Sequence, residues 1–263
     1  MAGLTRAPIL VSFLGLLFLG TPIVAQTVIT PDSLDDWLIG PFGTPPPVDF
    51  VQGPDTPPFG TGSYETEIVV ASSKIILLRT DYHDLPLADL TALSYWTYVD
   101  PVATNTNNWY VNLYVDADGD GSWDERLDFV PPPAMVVQGL WQFWDAHAGT
   151  WTTSGGGPTT LADFLLANPN ARINAFDPPL GGAIRLNMGD TASSYVGFLG
   201  NLDGVRIAVN GVGDETWDFE LFGAVEEIPT ISSWGVFALI VALLLAGTST
   251  LVARRKEHRA TGG

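Results

Sequence analysis

The residues Asp116-Ala117-Asp118-Gly119-Asp120-Gly121-Ser122-Trp123-Asp124 form the densest run of carboxylates in the chain. Their alternation lets the side chains of Asp116, Asp118 and Asp120 converge on one point, and Gly121 permits the sharp turn this requires. An all-oxygen donor set suits a hard divalent cation. Calcium takes about six to eight oxygens at roughly 2.3–2.6 Å. Ser122 would add its backbone carbonyl and Asp124 a closing carboxylate, so the candidate ligands are Asp116, Asp118, Asp120, Ser122 and Asp124. The expected role of the calcium is structural, fixing a hairpin. Without an ion the same residues make an Asp/Gly-rich turn, since both types favour turns. Four carboxylates within nine residues would then repel one another.

A second group is aromatic: Trp141, Phe143, Trp144 and Trp151 cluster ahead of Gly155-Gly156-Gly157. Aromatic faces stack on sugar rings, so Trp141, Trp144 and Trp151 are possible glycan contacts; core packing is the competing account. Signs of catalysis are poor. The chain has no cysteine, its middle holds only His83 and His147, and no Gly-x-Ser-x-Gly, His-Glu-x-x-His or phosphate loop occurs. Glu65 with Glu67, or Asp81 with Asp84, could supply a glycosidase carboxylate pair, yet acidic residues are too common here for either pair to stand out. The expectation is a non-catalytic exported cell-surface or extracellular-matrix protein. The alternatives are a glycan-binding module at the cell surface and a secreted glycoside hydrolase or related hydrolase.

The elements that must position these groups are strands. Of 263 residues, 46% are hydrophobic and 11% aromatic, with 28 Gly and 20 Pro, a composition of β-structure and many turns. Residues 40–62 hold 7 Pro and 5 Gly, which excludes a helix or a central strand and leaves turns around a short strand near 48–51. Strand signals follow at 63–70, 74–82 and 94–99. At 109–115, Trp109, Val111, Leu113 and Val115 alternate with polar and tyrosine positions. A return strand carries Leu127 and Phe129, and further strands are expected at 140–144, 183–187, 195–199, 204–209 and 217–221. One short helix is expected at 160–168, capped by Thr160, with Leu161, Phe164 and Leu165 on one face. The fold class is therefore all-β, an antiparallel β-sandwich like a jelly roll.

Charge limits the partners. Residues 26–227 hold 6 basic and 28 acidic side chains, a net of −22, which repels phosphate backbones and excludes nucleic acid as the expected partner. The ends bear on location. Residues 1–25 have the parts of a signal peptide: Arg6, an apolar run over 9–20, and a small residue, Ala25, at the expected cleavage point. Residues 234–253 carry no charge and match a transmembrane helix; Arg254, Arg255 and Lys256 follow and place the tail in the cytoplasm. The expected organisation is a signal peptide at 1–25, an exported domain at 26–226, and a C-terminal signal at 227–259 containing the transmembrane helix 234–253. The domain would be anchored in the inner membrane and lie outside the cytoplasm, with transfer to the cell surface or release as a later step.

Ahead of that helix stands Ile228-Pro229-Thr230-Ile231-Ser232-Ser233-Trp234-Gly235. A short motif, an apolar helix and a basic cluster in this order resemble the IPTL-CTERM sorting signal, a relative of the PEP-CTERM signals of Gram-negative bacteria. Ile228, Pro229, Thr230, Ser232, Trp234 and Gly235 match the pattern, and Ile231 stands where it has Leu. The resemblance implies an exosortase-like membrane transpeptidase as partner; the apolar span adds the membrane, and the aromatic group a surface polysaccharide as a possible partner. Two other resemblances concern the exported domain. Asp203-Gly204-Val205-Arg206-Ile207, with the residues before it, is similar to the closing strands of galactose-binding-like and carbohydrate-binding-module jelly rolls. The Asp116–Asp124 run resembles the calcium loops of β-hairpins in FG-GAP-type repeats; it departs from an EF-hand in having Leu127 at the twelfth position and strands on its flanks.

Overall fold

The computed structural model describes residues 26–174 and 183–222. The signal peptide, the sorting motif and the transmembrane helix expected at 234–253 lie outside the described residues. Among the described residues no helix is long and apolar enough to cross a membrane.

The described chain is mostly strand, arranged in two sheets with one α-helix. Seven strands form the first sheet: β1 (Gln26–Ile29), β3 (Val48–Gln52), β4 (Gly62–Glu67), β7 (Leu90–Val99), β10 (Trp141–Asp145), β15 (Leu199–Val209) and β16 (Gly213–Phe219). Nine form the second: β2 (Leu38–Gly43), β5 (Ser73–Arg79), β6 (Leu85–Pro86), β8 (Tyr110–Asp116), β9 (Glu125–Phe129), β11 (Trp151–Thr152), β12 (Pro158–Thr159), β13 (Arg172–Ile173) and β14 (Ile184–Gly189). Pairing is antiparallel except between β1 and β16, a departure from the all-antiparallel expectation. Pro41 is tolerated because β2 ends the row β12-β11-β9-β8-β14-β5-β2, and an edge strand can spare a donor.

The strands expected separately at 195–199 and 204–209 are one strand, β15, with an irregularity in the middle. Its register against β7 shifts between Asp203 and Arg206. At the same place its other edge changes partner, from β4 over Leu199–Leu202 to β16 over Val205–Val209. A bulge bends the strand and lets one long element serve two neighbours.

Inward side chains of both sheets belong to one buried cluster. Tyr64 and Tyr95 enter it from the first sheet, Val111, Leu113 and Phe129 from the second. Tyr95 meets Phe129 edge to face at 6.3 Å, and its hydroxyl donates to the Trp109 carbonyl at 2.8 Å, so the buried oxygen keeps a partner. The alternation read at 109–115 is thus the core face of β8: Val111, Leu113 and Val115 are fully buried. Helix α1 (Leu161–Ala167) forms where expected. Thr160 Oγ1 accepts from the Asp163 N–H at 3.0 Å, and Leu161 and Phe164 are buried.

Candidate metal centre

The Asp-rich run is the connection between β8 and β9. The Asp124 N–H donates to the Val115 carbonyl at 2.9 Å, which closes the hairpin and leaves the residues between as a loop. Gly119 and Gly121 have φ of 82° and 95°, values that side-chain-bearing residues rarely adopt, so the glycines let the loop fold back on Asp116.

Asp116 is the organising residue. It is only 1% exposed, and its carboxylate accepts from the N–H groups of Gly119 (2.7 Å), Asp120 (3.2 Å) and Gly121 (2.7 Å). Burial alone would raise its pKa, but these donors outweigh it and hold the carboxyl below its ordinary value. Asp118 and Asp120 accept from the N–H two residues on, at 3.1 and 2.8 Å, which fixes their side chains over the loop. Asn174 Nδ2 donates to the Gly121 carbonyl at 3.2 Å and ties the loop to the segment after β13.

Three of the five expected ligands come together. One oxygen each from Asp116, Asp118 and Asp120 lies within 4.8 Å of the others, a group that could hold a metal ion. Asp124 stands apart from this group: its Oδ2 accepts from the Ala117 N–H at 3.0 Å and braces the base of the loop. Ser122 contributes its N–H to Asp120. A cleft of about 350 Å³, lined by Asp118, Gly119, Asn170 and Arg172 among others, opens beside the loop.

The aromatic group divides. Trp144 and Trp151 are core residues: their Nε1 atoms donate to Thr97 Oγ1 (2.7 Å) and to the Ala146 carbonyl (2.9 Å), and Trp151 is fully buried. Neither presents a face to a sugar, because each ring fills the interior and its one polar atom is already paired. Trp141 is half-buried on the outer face of the first sheet, 5.7 Å from Tyr98, and its Nε1 donates to the Pro54 carbonyl. Beside it Phe143, half exposed, packs 5.2 Å from Trp96. Tyr98 and Trp96 went unnoticed in the sequence, although their register opposite Trp141 and Phe143 puts all four on one face.

Of the acidic pairs, Asp81 is bound to Arg79 at 2.5 Å and Asp84 to Arg172 at 2.5 Å. Glu65 lies opposite Asp49 on β3 and Asn201 on β15; burial first, then Asp100, raises its pKa. Two further carboxyls had no signal in the sequence. Asp203 and Asp218 are 0% and 2% exposed, and burial pushes their pKa values up to about 8 and about 6.

No family model matches the chain, and no curated protein does. Among solved structures it is similar to the enzymatically active domain of tailspike protein 4 of bacteriophage CBA120, at 15% identity and a TM-score of 0.37. The match covers 66% of this chain and 19% of that one, so this chain spans about a fifth of its neighbour. The expectation of a non-catalytic protein did not foresee a neighbour described as an enzymatically active domain, and it is not carried further. A likeness of this size assigns neither an activity nor a substrate to the chain.

Proposed function

We propose that the described domain is a jelly-roll-like β-sandwich module whose β8–β9 hairpin is set by a structural calcium ion. The observation that carries this reading is the convergence of the Asp116, Asp118 and Asp120 oxygens within 4.8 Å. Two oxygens on opposite sides of one calcium ion stand about 4.8 Å apart, so a group of this spread fits a single ion. Carboxylate-only side chains favour calcium over the softer transition metals. The remaining coordination positions fall to the Ser122 carbonyl and water. Extracellular calcium modules bind with Kd of about 10⁻⁴–10⁻³ M, the range expected here.

The module is exported by residues 1–25 and held at the membrane by 234–253, with the motif from Ile228 to Gly235 read by an exosortase-like transpeptidase. Calorimetric titration of the full-length protein in detergent micelles with calcium chloride tests the ion. One site with loss of binding in Asp120→Ala supports it; absence of heat in the intact protein refutes it. Alkaline carbonate extraction of cells expressing the full chain tests the tether, and recovery of the uncleaved chain in the soluble fraction refutes it.

A further inference from the structure

Residues 53–61 lie against the first sheet and are fastened there by carboxyl groups. The Phe59 N–H donates to Asp203 Oδ2 at 3.3 Å, and the Thr61 and Gly62 N–H groups donate to Glu220 Oε1 at 2.5 and 3.0 Å. Asp203 Oδ1 accepts from the Phe219 N–H at 3.1 Å, which serves the amide that the β15 bulge leaves without a ladder partner. Beside them sits Asp218: a Cβ on Gly60 would lie 1.6 Å from Glu220 Oε1 and 2.9 Å from Asp218 Oδ2, so the two carboxyls crowd one spot under the loop. Asp218 Oδ2 accepts from Gln26 Nε2 at 2.5 Å, while its Oδ1 is buried with no hydrogen-bond partner. Carboxylates this close repel one another when all are ionised, and a buried acceptor without a donor is costly, so a proton on the cluster relieves both.

Among the described residues the surroundings supply no cation. β1 contributes Gln26, β7 places Trp96 opposite Asp203, and the loop offers its N–H groups, Thr61 Oγ1 and the exposed Asp55. On β4 the register sets Tyr64, which bears a hydroxyl, opposite Leu202, next to Asp203, and Glu65 one residue further; neither is a cation. None of the ion pairs among the described residues reaches Asp203, Asp218 or Glu220.

We infer that Asp203, Asp218 and Glu220 form a proton-dependent clasp that holds residues 53–61 down on the aromatic face of the first sheet. What the clasp governs is on the same face: Pro54 receives the Trp141 Nε1 hydrogen bond, and the Phe59 ring lies at Gly204 beside Trp96. Asp203 and Asp218 keep their protons up to about pH 8 and about pH 6 in the closed form, against an ordinary 3.8. A raised acid favours the closed form at low pH. Closure therefore weakens as pH rises through this window and levels off above about pH 8.

Hydrogen exchange of the peptide spanning residues 53–62 tests the clasp, measured on the full-length protein in micelles from pH 5 to pH 9 and corrected for intrinsic exchange rates. Parallel series with saturating calcium and with a chelator separate it from the metal loop. Protection should fall by up to about a hundredfold per pH unit below pH 6, where both protons count, and by up to about tenfold per unit from there to pH 8, alike in both series. Asp218→Asn removes the Asp218 proton from the balance and leaves that of Asp203, so its protection should fall less steeply between pH 5 and pH 6 than in the unaltered protein. Protection that ignores pH, that responds only when calcium is present, or that falls identically in Asp218→Asn overturns the inference. Should that variant not fold, carbon-13 titration of the side-chain carboxyls of the unaltered protein decides. A proton lost from this cluster over the same interval supports the clasp; full ionisation at pH 5 overturns it.

Discussion

Asp116 Oδ2 accepts the Gly121 N–H at 2.7 Å, a contact that folds the β8–β9 loop across its own first carboxylate. The loop is thus built around Asp116 by backbone donors, whereas Asp118 and Asp120 stand exposed on its rim. The three carboxylates should accordingly differ in what they contribute with and without metal.

Asp116→Ala leaves the Gly119, Asp120 and Gly121 N–H groups without their acceptor. It should cost about 1–3 kcal/mol even in chelator. Asp118→Ala and Asp120→Ala should cost within about half a kcal/mol there, the usual scale for exposed positions. In calcium their deficits should grow to approach that of Asp116→Ala. Urea denaturation with each variant in both conditions checks the pattern.

The pH dependence of the loop runs opposite to that of the clasp. Asp116 is held below its ordinary value, so its stabilising contribution is present above that value and is lost as pH falls through the lower one. The stability difference between the unaltered protein and Asp116→Asn should be flat from pH 5 to pH 7, in chelator, and should shrink below about pH 4. A difference that grows on acidification would contradict the assignment of Asp116 as an ionised acceptor.

Gly204 sits at the β15 bulge with φ of 55°, and a Cβ there would lie 2.4 Å from the Phe59 ring and 3.0 Å from Trp96. Gly204→Ala should lower stability by about 1–3 kcal/mol through overpacking, on top of the backbone strain. Gly211, at φ of 78° with nothing within 4 Å, isolates the strain alone. Thermal melts should therefore show Gly204→Ala clearly less stable than Gly211→Ala.

The tryptophans should separate by burial. Trp151→Ala empties a fully buried site and loses the bond to Ala146, with an expected loss of about 3–5 kcal/mol. Trp141→Ala removes a half-buried ring from the outer face and should cost clearly less. Equal losses in denaturant titration would contradict the division of this aromatic group.

Much of the fold was legible because its signals are local. Alternation at Val111, Leu113 and Val115 marks the core face of β8, and Thr160 with Asp163 marks the helix start. The Asp116, Asp118 and Asp120 group was legible for the same reason, since its spacing is contained in one turn. What escaped depends on contacts distant in sequence. The partner change along β15 requires β4 and β16 to meet one strand, and no residue of 199–209 announces it. The burial of Asp203 and Asp218 arises from β15, β16, β1 and residues 53–61 closing together, so both read as ordinary acidic positions in the chain. Trp144 and Trp151 could not be told from surface aromatics until their Nε1 partners were placed. Asp124 sits at a ligand's spacing, but the group that comes together is Asp116, Asp118 and Asp120, because the path of the loop and not the spacing sets which oxygens meet.

The most direct test is the melting temperature of the full-length protein in micelles, with calcium and with chelator. With calcium about a hundredfold above its Kd, the ion should add about 2.7 kcal/mol, which for a domain of this size is a rise of roughly 5–10 °C. Asp120→Ala should lose most of that rise. Identical melting temperatures in calcium and in chelator would contradict the account and leave the loop a self-bonded turn.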